Sequence, residues 1–222
     1  MTVDDDSVAR RSHNQHNGPG ARIHLVRHGE TAWVLTGQHT GKTDIDLTVR
    51  GEEQALALEP VLSAIRFNHV FTSPALRARR TCDLAGFSGA AIIDVDLAEW
   101  DYGDYEGKRS SDIRKGRPDW NVFRDGCPGG ESVLDVTARA DRVIGSLFPL
   151  SGNVLVFSHG QFGCCLAARW IGIAIAKARH LQMDVASISV LGSNPAHVDL
   201  AVIAHWNSTP ALFAPQPQVP KG

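Results

Sequence analysis

The chain is poor in the features of a secreted, membrane-bound or nucleic-acid-coating protein. Its 222 residues hold only four cysteines, Cys82, Cys127, Cys164 and Cys165, too few and too irregularly spaced for a disulfide scaffold. Cys164 and Cys165 are adjacent, but in an apolar helix that follows a strand they read as core packing. No hydrophobic run approaches the ~20 residues needed to cross a bilayer. The acidic start Met1-Thr2-Val3-Asp4-Asp5-Asp6 lacks the basic and apolar regions of a secretory signal. The cytoplasm is the expected compartment, with no membrane partner. Charge of one sign is not in excess either. With 22 Lys and Arg against 24 Asp and Glu, a net charge of -2 excludes a uniformly basic, nucleic-acid-binding surface but leaves room for a local cationic pocket. No His-Glu-x-x-His or similar ligand pattern occurs, and His13 and His16 are too few to make a site. No metal and no cofactor are expected.

What is present suits one core, since 43% of the residues are hydrophobic. Residues 1–20, rich in Ser, Asn, His and Gly, read as a flexible leader. Residues 21–209 read as a single domain, and residues 210–222 as a Pro-rich tail with four prolines in eleven residues. Apolar runs at 22–27, 68–72, 91–95, 153–158, 185–191 and 198–205 read as strands, the last two as a hairpin around Gly192-Ser193-Asn194-Pro195. Helical patterns cover 49–65, 74–86, 132–147 and 161–171, with Ser73 as cap and Pro74 in the first turn of the second. This order predicts an α/β fold of three layers, with a largely parallel central sheet flanked by helices. Residues 100–131, rich in Gly, Asp and aromatics, read as an extended excursion over the sheet edge, a place for a binding or lid role.

The chemistry starts at Leu25-Val26-Arg27-His28-Gly29-Glu30-Thr31. A buried strand here delivers a guanidinium and an imidazole side by side, and Gly29 lets the backbone turn sharply. A neutral imidazole can attack phosphorus while an arginine neutralises phosphate oxygens. Other strand ends converge on the same edge: Thr72 and Ser73 with Arg77 one helical turn on, Glu99 after the third strand, and Ser158-His159-Gly160 after the fourth. Each has a bland reading alone. Together, four strand ends carrying charge to one edge point to a shared ligand.

Arg27-His28-Gly29-Glu30-Thr31, Thr72-Ser73-Pro74 with Arg77, Glu99 with Gly103 and Glu106-Gly107, and Ser158-His159-Gly160 resemble the ordered signature blocks of the histidine phosphatase superfamily, the phosphoglycerate mutase-like branch. The resemblance implies that His28 is the nucleophile that becomes phosphohistidine. By the same resemblance, Arg27 and Arg77 bind the transferred group, His159 stabilises its equatorial oxygens and Glu99 donates and accepts the proton. A pocket of Arg and His donors supplies the charge neutralisation and in-line positioning that phosphoryl transfer needs. His28 must be neutral to attack, and Arg27 should help to keep it so. Gly160, at a helix start, adds a backbone N–H to the phosphate.

The expected reaction is hydrolysis of a small phosphorylated metabolite. Only 59 residues separate Glu99 from His159, short for mutases of this family, and Val34 follows Trp33 where mutases usually carry an asparagine. The run Glu30 to Thr48, together with Ala98 to Gly107 and Gly126 to Ser132, is similar to bacterial acid phosphatases and the fungal sedoheptulose bisphosphatase. Trp33, His39, Tyr102 and Lys108 are further candidate substrate contacts, the aromatics shielding a carbon skeleton and Lys108 meeting a second anionic group. The alternatives are a cofactor-dependent phosphoglycerate mutase and a non-catalytic phosphoester-binding module. A homodimer is compatible with such a chain.

Overall fold

Six strands form one mixed sheet at the centre of the computed structural model, which describes residues 20–210. They are β1 (Arg22–Arg27), β2 (His69–Thr72), β3 (Ile92–Ile93), β4 (Asn153–Ser158), β5 (Ile188–Asn194) and β6 (His197–Ser208), in the order β3-β2-β4-β1-β5-β6. The first four are parallel, while β5 and β6 are an antiparallel hairpin on the β1 side. Ile23 to Val26 and Val154 to Phe157 are buried on both faces of the sheet, which explains their unbroken hydrophobic runs. The chain leaves β1 toward β2 and leaves β4 toward β5, on the opposite side. Their adjacent carboxyl ends therefore flank a switch point, the crevice where open α/β sheets bind ligands.

The helices are α1 (Ala32–Thr36), α2 (Val49–Leu56), α3 (Glu59–Leu62), α4 (Leu76–Cys82), α5 (Ser110–Gly116), α6 (Val122–Asp125), α7 (Val133–Leu147) and α8 (Gly160–Trp170). Two cores lie on the two faces of the sheet. Val136, Ala140 and Val143 of α7 pack with Phe162 and Leu166 of α8 against Ile23 and Val156. Leu58, Leu62 and Cys82 pack with Val26, Leu155 and Phe157 on the other face. This is the three-layer α/β arrangement the sequence predicts. In α7 the Ser132 hydroxyl and the Asp135 carboxylate close a reciprocal capping box. All four cysteines are free and buried. Among the described residues no helix is long and apolar enough to cross a membrane.

Several boundaries differ from expectation. The helix expected over 49–65 breaks into α2 and α3, because Pro60 has no N–H to continue the ladder and is accepted only in a new first turn. The helix expected from Pro74 begins at Leu76. Its first free N–H, that of Leu76, donates to Asp44 Oδ1 at 2.7 Å, so the capping carboxylate comes from a distant loop. Strand 91–95 shrinks to Ile92–Ile93, and 185–191 is displaced to Ile188–Asn194. Residues 100–131 are not a loose excursion: Trp100, Tyr102, Trp120 and Phe123 are buried in the larger core, and α5 and α6 fall within this segment. Gly103 there has φ +50°, and a Cβ on it would sit 2.2 Å from Gly130 N, so two backbones meet where only glycine fits. The expected leader and tail lie outside the described residues, apart from Gly20 and Pro210.

Candidate active site

The ends of β1 and β4 are in register, with Arg27 paired to Ser158, so the next residues, His28 and His159, rise side by side. Their ring centroids are 5.2 Å apart. Gly29 then lets the chain pass α2: a Cβ there would lie 2.4 Å from Gly51 O. His28 Nδ1 stands 2.7 Å from Gly29 O. A carbonyl can only accept, so Nδ1 carries the proton and Nε2 keeps its lone pair. Burial, then Arg77, then Arg27 push the His28 pKa well below its ordinary 6.5. The ring is held neutral chiefly by burial, and Arg77 counts for more than Arg27, the residue expected to do so.

Arg77, on α4, is fully buried. Its Nη2 donates to the carbonyls of Thr40 and Gly41, both at 3.0 Å, and its Nη1 to that of Thr43 at 3.2 Å. The loop carrying those carbonyls is fixed by Glu106, whose carboxylate accepts the N–H groups of Gly41 and Thr43. Arg27 Nη1 donates to Met183 O at 2.5 Å. A Cβ on Gly160 would come within 3.3 Å of the Arg27 guanidinium, so glycine lets that side chain lie across the start of α8. His159 Nε2 contacts Ser73 Oγ at 2.7 Å. Burial first, then Arg77, His28 and Arg27, lower the His159 pKa well below 6.5 as well. Arg27 Nε, Arg77 Nε and His159 Nδ1 are buried and have no partner in the protein, and Nδ1 is a donor in the tautomer whose Nε2 accepts from the Ser73 hydroxyl. Such groups are costly to bury unmatched, and three around one imidazole suit a ligand made of acceptor oxygens.

Glu99 is 8% exposed and is held by backbone N–H groups. Its Oε1 accepts from Phe162 N at 2.8 Å and Trp100 N at 2.9 Å, and its Oε2 from Gln161 N at 3.1 Å. The first turn of α8 thus grips this carboxylate. Glu99 raises the pKa of both Arg27 and Arg77, against the larger effect of burial, which places all three in one electrostatic neighbourhood.

Arg27, His28 and Glu99 open on a cavity of about 230 Å³ whose wall includes Trp33, Val34, His39 and Tyr102. His39 stacks on Tyr102 with centroids 4.5 Å apart, and burial lowers its pKa to about 4. Lys108 is not on this wall; its ammonium lies 5.5 Å from the Tyr105 ring centroid and its side chain is exposed. Among the described residues no cluster of three His, Cys, Asp or Glu side chains is arranged to hold a metal. Three contributors escape sequence reasoning. Ser73 reads as a helix cap at the converging edge, with no sign that its hydroxyl contacts His159. Glu106 reads only as part of a signature block but fixes the Arg77 loop. Arg139 has one sequence signal, a charge inside the apolar stripe Val136, Ala140, Val143 of α7; it donates to the carbonyls of Asp96, Ala98 and Glu99.

Comparison with known proteins agrees with this geometry. Residues 23–208 match the family described as the histidine phosphatase superfamily (branch 1). An acid phosphatase from Mycobacterium tuberculosis is 40% identical over 188 residues, covering 82% of this chain and 91% of that protein. The sedoheptulose 1,7-bisphosphatase of Saccharomyces cerevisiae is 35% identical over 189 residues, covering 70% and 69%. Relatives bearing phosphoglycerate mutase names stand lower, at 29–30% over 178 residues. The solved structure of an open reading frame product from Mycobacterium tuberculosis superposes with a TM-score of 0.78 at 36% identity, covering 86% of this chain and 98% of that one. The paired histidines at the β1 and β4 ends thus have a family context: this chain belongs to branch 1 of the histidine phosphatase superfamily.

Proposed function

We propose that the chain hydrolyses small phosphomonoesters through a phosphohistidine formed on His28, that residues 21–209 are its catalytic domain, and that it works in the cytoplasm. The observation that carries the reading is the set of three unpartnered donors, on Arg27, Arg77 and His159, around an imidazole whose Nδ1–H is already committed. In the first step the His28 Nε2 lone pair forms an N–P bond as the P–O bond to the alcohol breaks in line. Glu99 gives its proton to the departing alkoxide oxygen. In the second, Glu99 takes a proton from water as the water oxygen attacks phosphorus, the N–P bond breaks, and neutral His28 and inorganic phosphate result. Arg27, Arg77 and His159 hold the three equatorial oxygens throughout. Gly160 lets Arg27 reach them, while Trp33, His39 and Tyr102 shield the alcohol.

The test is labelling with a phosphate-labelled monoester. Wild-type protein quenched in the steady state should carry acid-labile, alkali-stable phosphate, and His28→Ala should lose both the label and turnover. Normal turnover by His28→Ala would remove the nucleophile assignment. The mutase reading has less support, because the relatives named for that activity are the more distant ones. It predicts bisphosphoglycerate-primed interconversion of 2- and 3-phosphoglycerate, which the hydrolase should lack.

A further inference from the structure

We infer that the alcohol side of this site takes phosphoesters whose skeleton is uncharged within about three carbons of the ester oxygen, polyols or aromatic alcohols, and discriminates against those carrying a carboxylate there. This rests on the phosphatase reading and adds a substrate class to it.

Two cavities reach Glu99, and neither offers a carboxylate a cation that is not already engaged. In the smaller, the wall beyond the reacting atoms combines Trp33, Val34 and Tyr102 with neutral polar side chains, Gln38, Thr40, Ser110 and Gln161 beside His39, and among the described residues Arg27 is its only permanent cation. That guanidinium is divided between Met183 O and the phosphoryl position. His39, with a pKa of about 4, is neutral at pH 7, and burial keeps the Tyr102 phenol protonated. Lys108, the residue expected to meet a second anion, sits over Tyr105 outside the wall.

The larger cavity, about 470 Å³, lies on the other side of Glu99 and does contain cations, Lys42 and Arg139. Both are taken. Lys42 Nζ is 2.6 Å from Asp101 Oδ2, and the Arg139 guanidinium is 2.7 Å from Glu131 Oε2 and bonded to three carbonyls besides. Asp44, Asp101 and Glu131 add negative charge to that wall. A carboxylate placed beside the ester oxygen therefore meets only neutral side chains beyond Arg27 in one direction and an excess of carboxylates in the other. Hydroxyl groups are not penalised in this way, since carboxylates accept their hydrogen bonds, and aromatic alcohols gain ring contacts with Trp33 and Tyr102.

Glycerol 1-phosphate and 3-phosphoglycerate test this directly, because both release a primary alkoxide and differ only in a CH2OH against a carboxylate. Phenyl phosphate serves as the common reference. The wild-type enzyme should show kcat/KM at least about tenfold higher for glycerol 1-phosphate than for 3-phosphoglycerate. Val34→Arg, which puts a cation on the wall, should move that ratio toward 3-phosphoglycerate by about tenfold. Equal or faster turnover of 3-phosphoglycerate by the wild type, or an unchanged ratio in Val34→Arg, overturns the inference while phenyl phosphate turnover keeps the phosphatase reading. Failure on all three substrates removes both.

Discussion

Ser73 Oγ and His159 Nε2 stand 2.7 Å apart, and this contact fixes which face of the imidazole is offered to a ligand. The same oxygen accepts from Ala75 N at 3.3 Å, leaving the hydroxyl proton to be donated to Nε2. The His159 proton then resides on Nδ1, the buried atom without a protein partner. Ser73→Ala removes this orientation and should lower kcat about tenfold, the worth of one buried hydrogen bond that aims a donor at the phosphoryl oxygens. Ser73→Thr should retain most activity. The check is kcat on p-nitrophenyl phosphate beside the thermal midpoint. A fall in midpoint with unchanged kcat would assign Ser73 to folding alone.

With His28 as the proposed nucleophile, the acid limb of the pH profile should report its protonation. Because burial, Arg77 and Arg27 hold its pKa well below 6.5, kcat/KM should persist into acid and fall only when the ring protonates far below that value. Arg77→Met deletes the largest charge effect on the ring. The His28 pKa then rises, and the acid limb should move up toward 6.5 in addition to a lower plateau. The profile of kcat/KM for p-nitrophenyl phosphate from pH 3 to 8 decides; a limb that stays in place would mean that Arg77 binds phosphate without setting the protonation of His28.

The two histidines of the proposed chemistry were legible because each follows a strand whose apolar run announces it. His28 comes after Ile23 to Val26, and His159 after Val154 to Phe157, so reading the strands brought both to one sheet edge. What stayed hidden depends on partners far apart in sequence. Nothing near Leu76 reveals that Asp44 caps its helix, and nothing in Ser73-Pro74 shows that a favourable cap sequence is diverted to a histidine 86 residues away. Local propensity lost there to a tertiary hydrogen bond. Lys108 fails for a related reason: charge type was readable, but the side-chain direction that puts it over Tyr105 was not.

His39 ties the substrate cavity to stability. Its pKa is about 4 in the folded chain against 6.5 when exposed, mainly through burial. Between those values the unfolded chain binds more protons than the native state, so the contribution is complete above pH 6.5 and erodes as pH falls toward 4. At pH 5 the loss should be on the order of 2 kcal/mol. His39→Gln removes the titrating group and should flatten this part of the pH dependence in urea unfolding between pH 7 and 5. Parallel wild-type and variant curves would show that His39 does not sense pH in this way.

Arg139 and Glu99 should behave as one unit. The Arg139 guanidinium binds the carbonyls of Asp96, Ala98 and Glu99 and pairs with Glu131, whose Oε2 in turn accepts from Asp101 N. The backbone is thereby clamped on both sides of Glu99, the proposed proton donor. Phe162, whose ring lies 4.1 Å from the guanidinium, also gives its N–H to Glu99. Glu99→Gln should slow alkyl phosphates far more than p-nitrophenyl phosphate, because a good leaving group needs little protonation. Arg139→Lys keeps a charge for Glu131 but loses the fork that spans three carbonyls, so it should show the same selectivity, weakened to about tenfold on alkyl substrates. Combined with Glu99→Gln, it should add almost nothing, since there is no proton donor left to misplace. Equal losses on both substrate types, or full additivity in the double variant, would confine Arg139 to holding the fold.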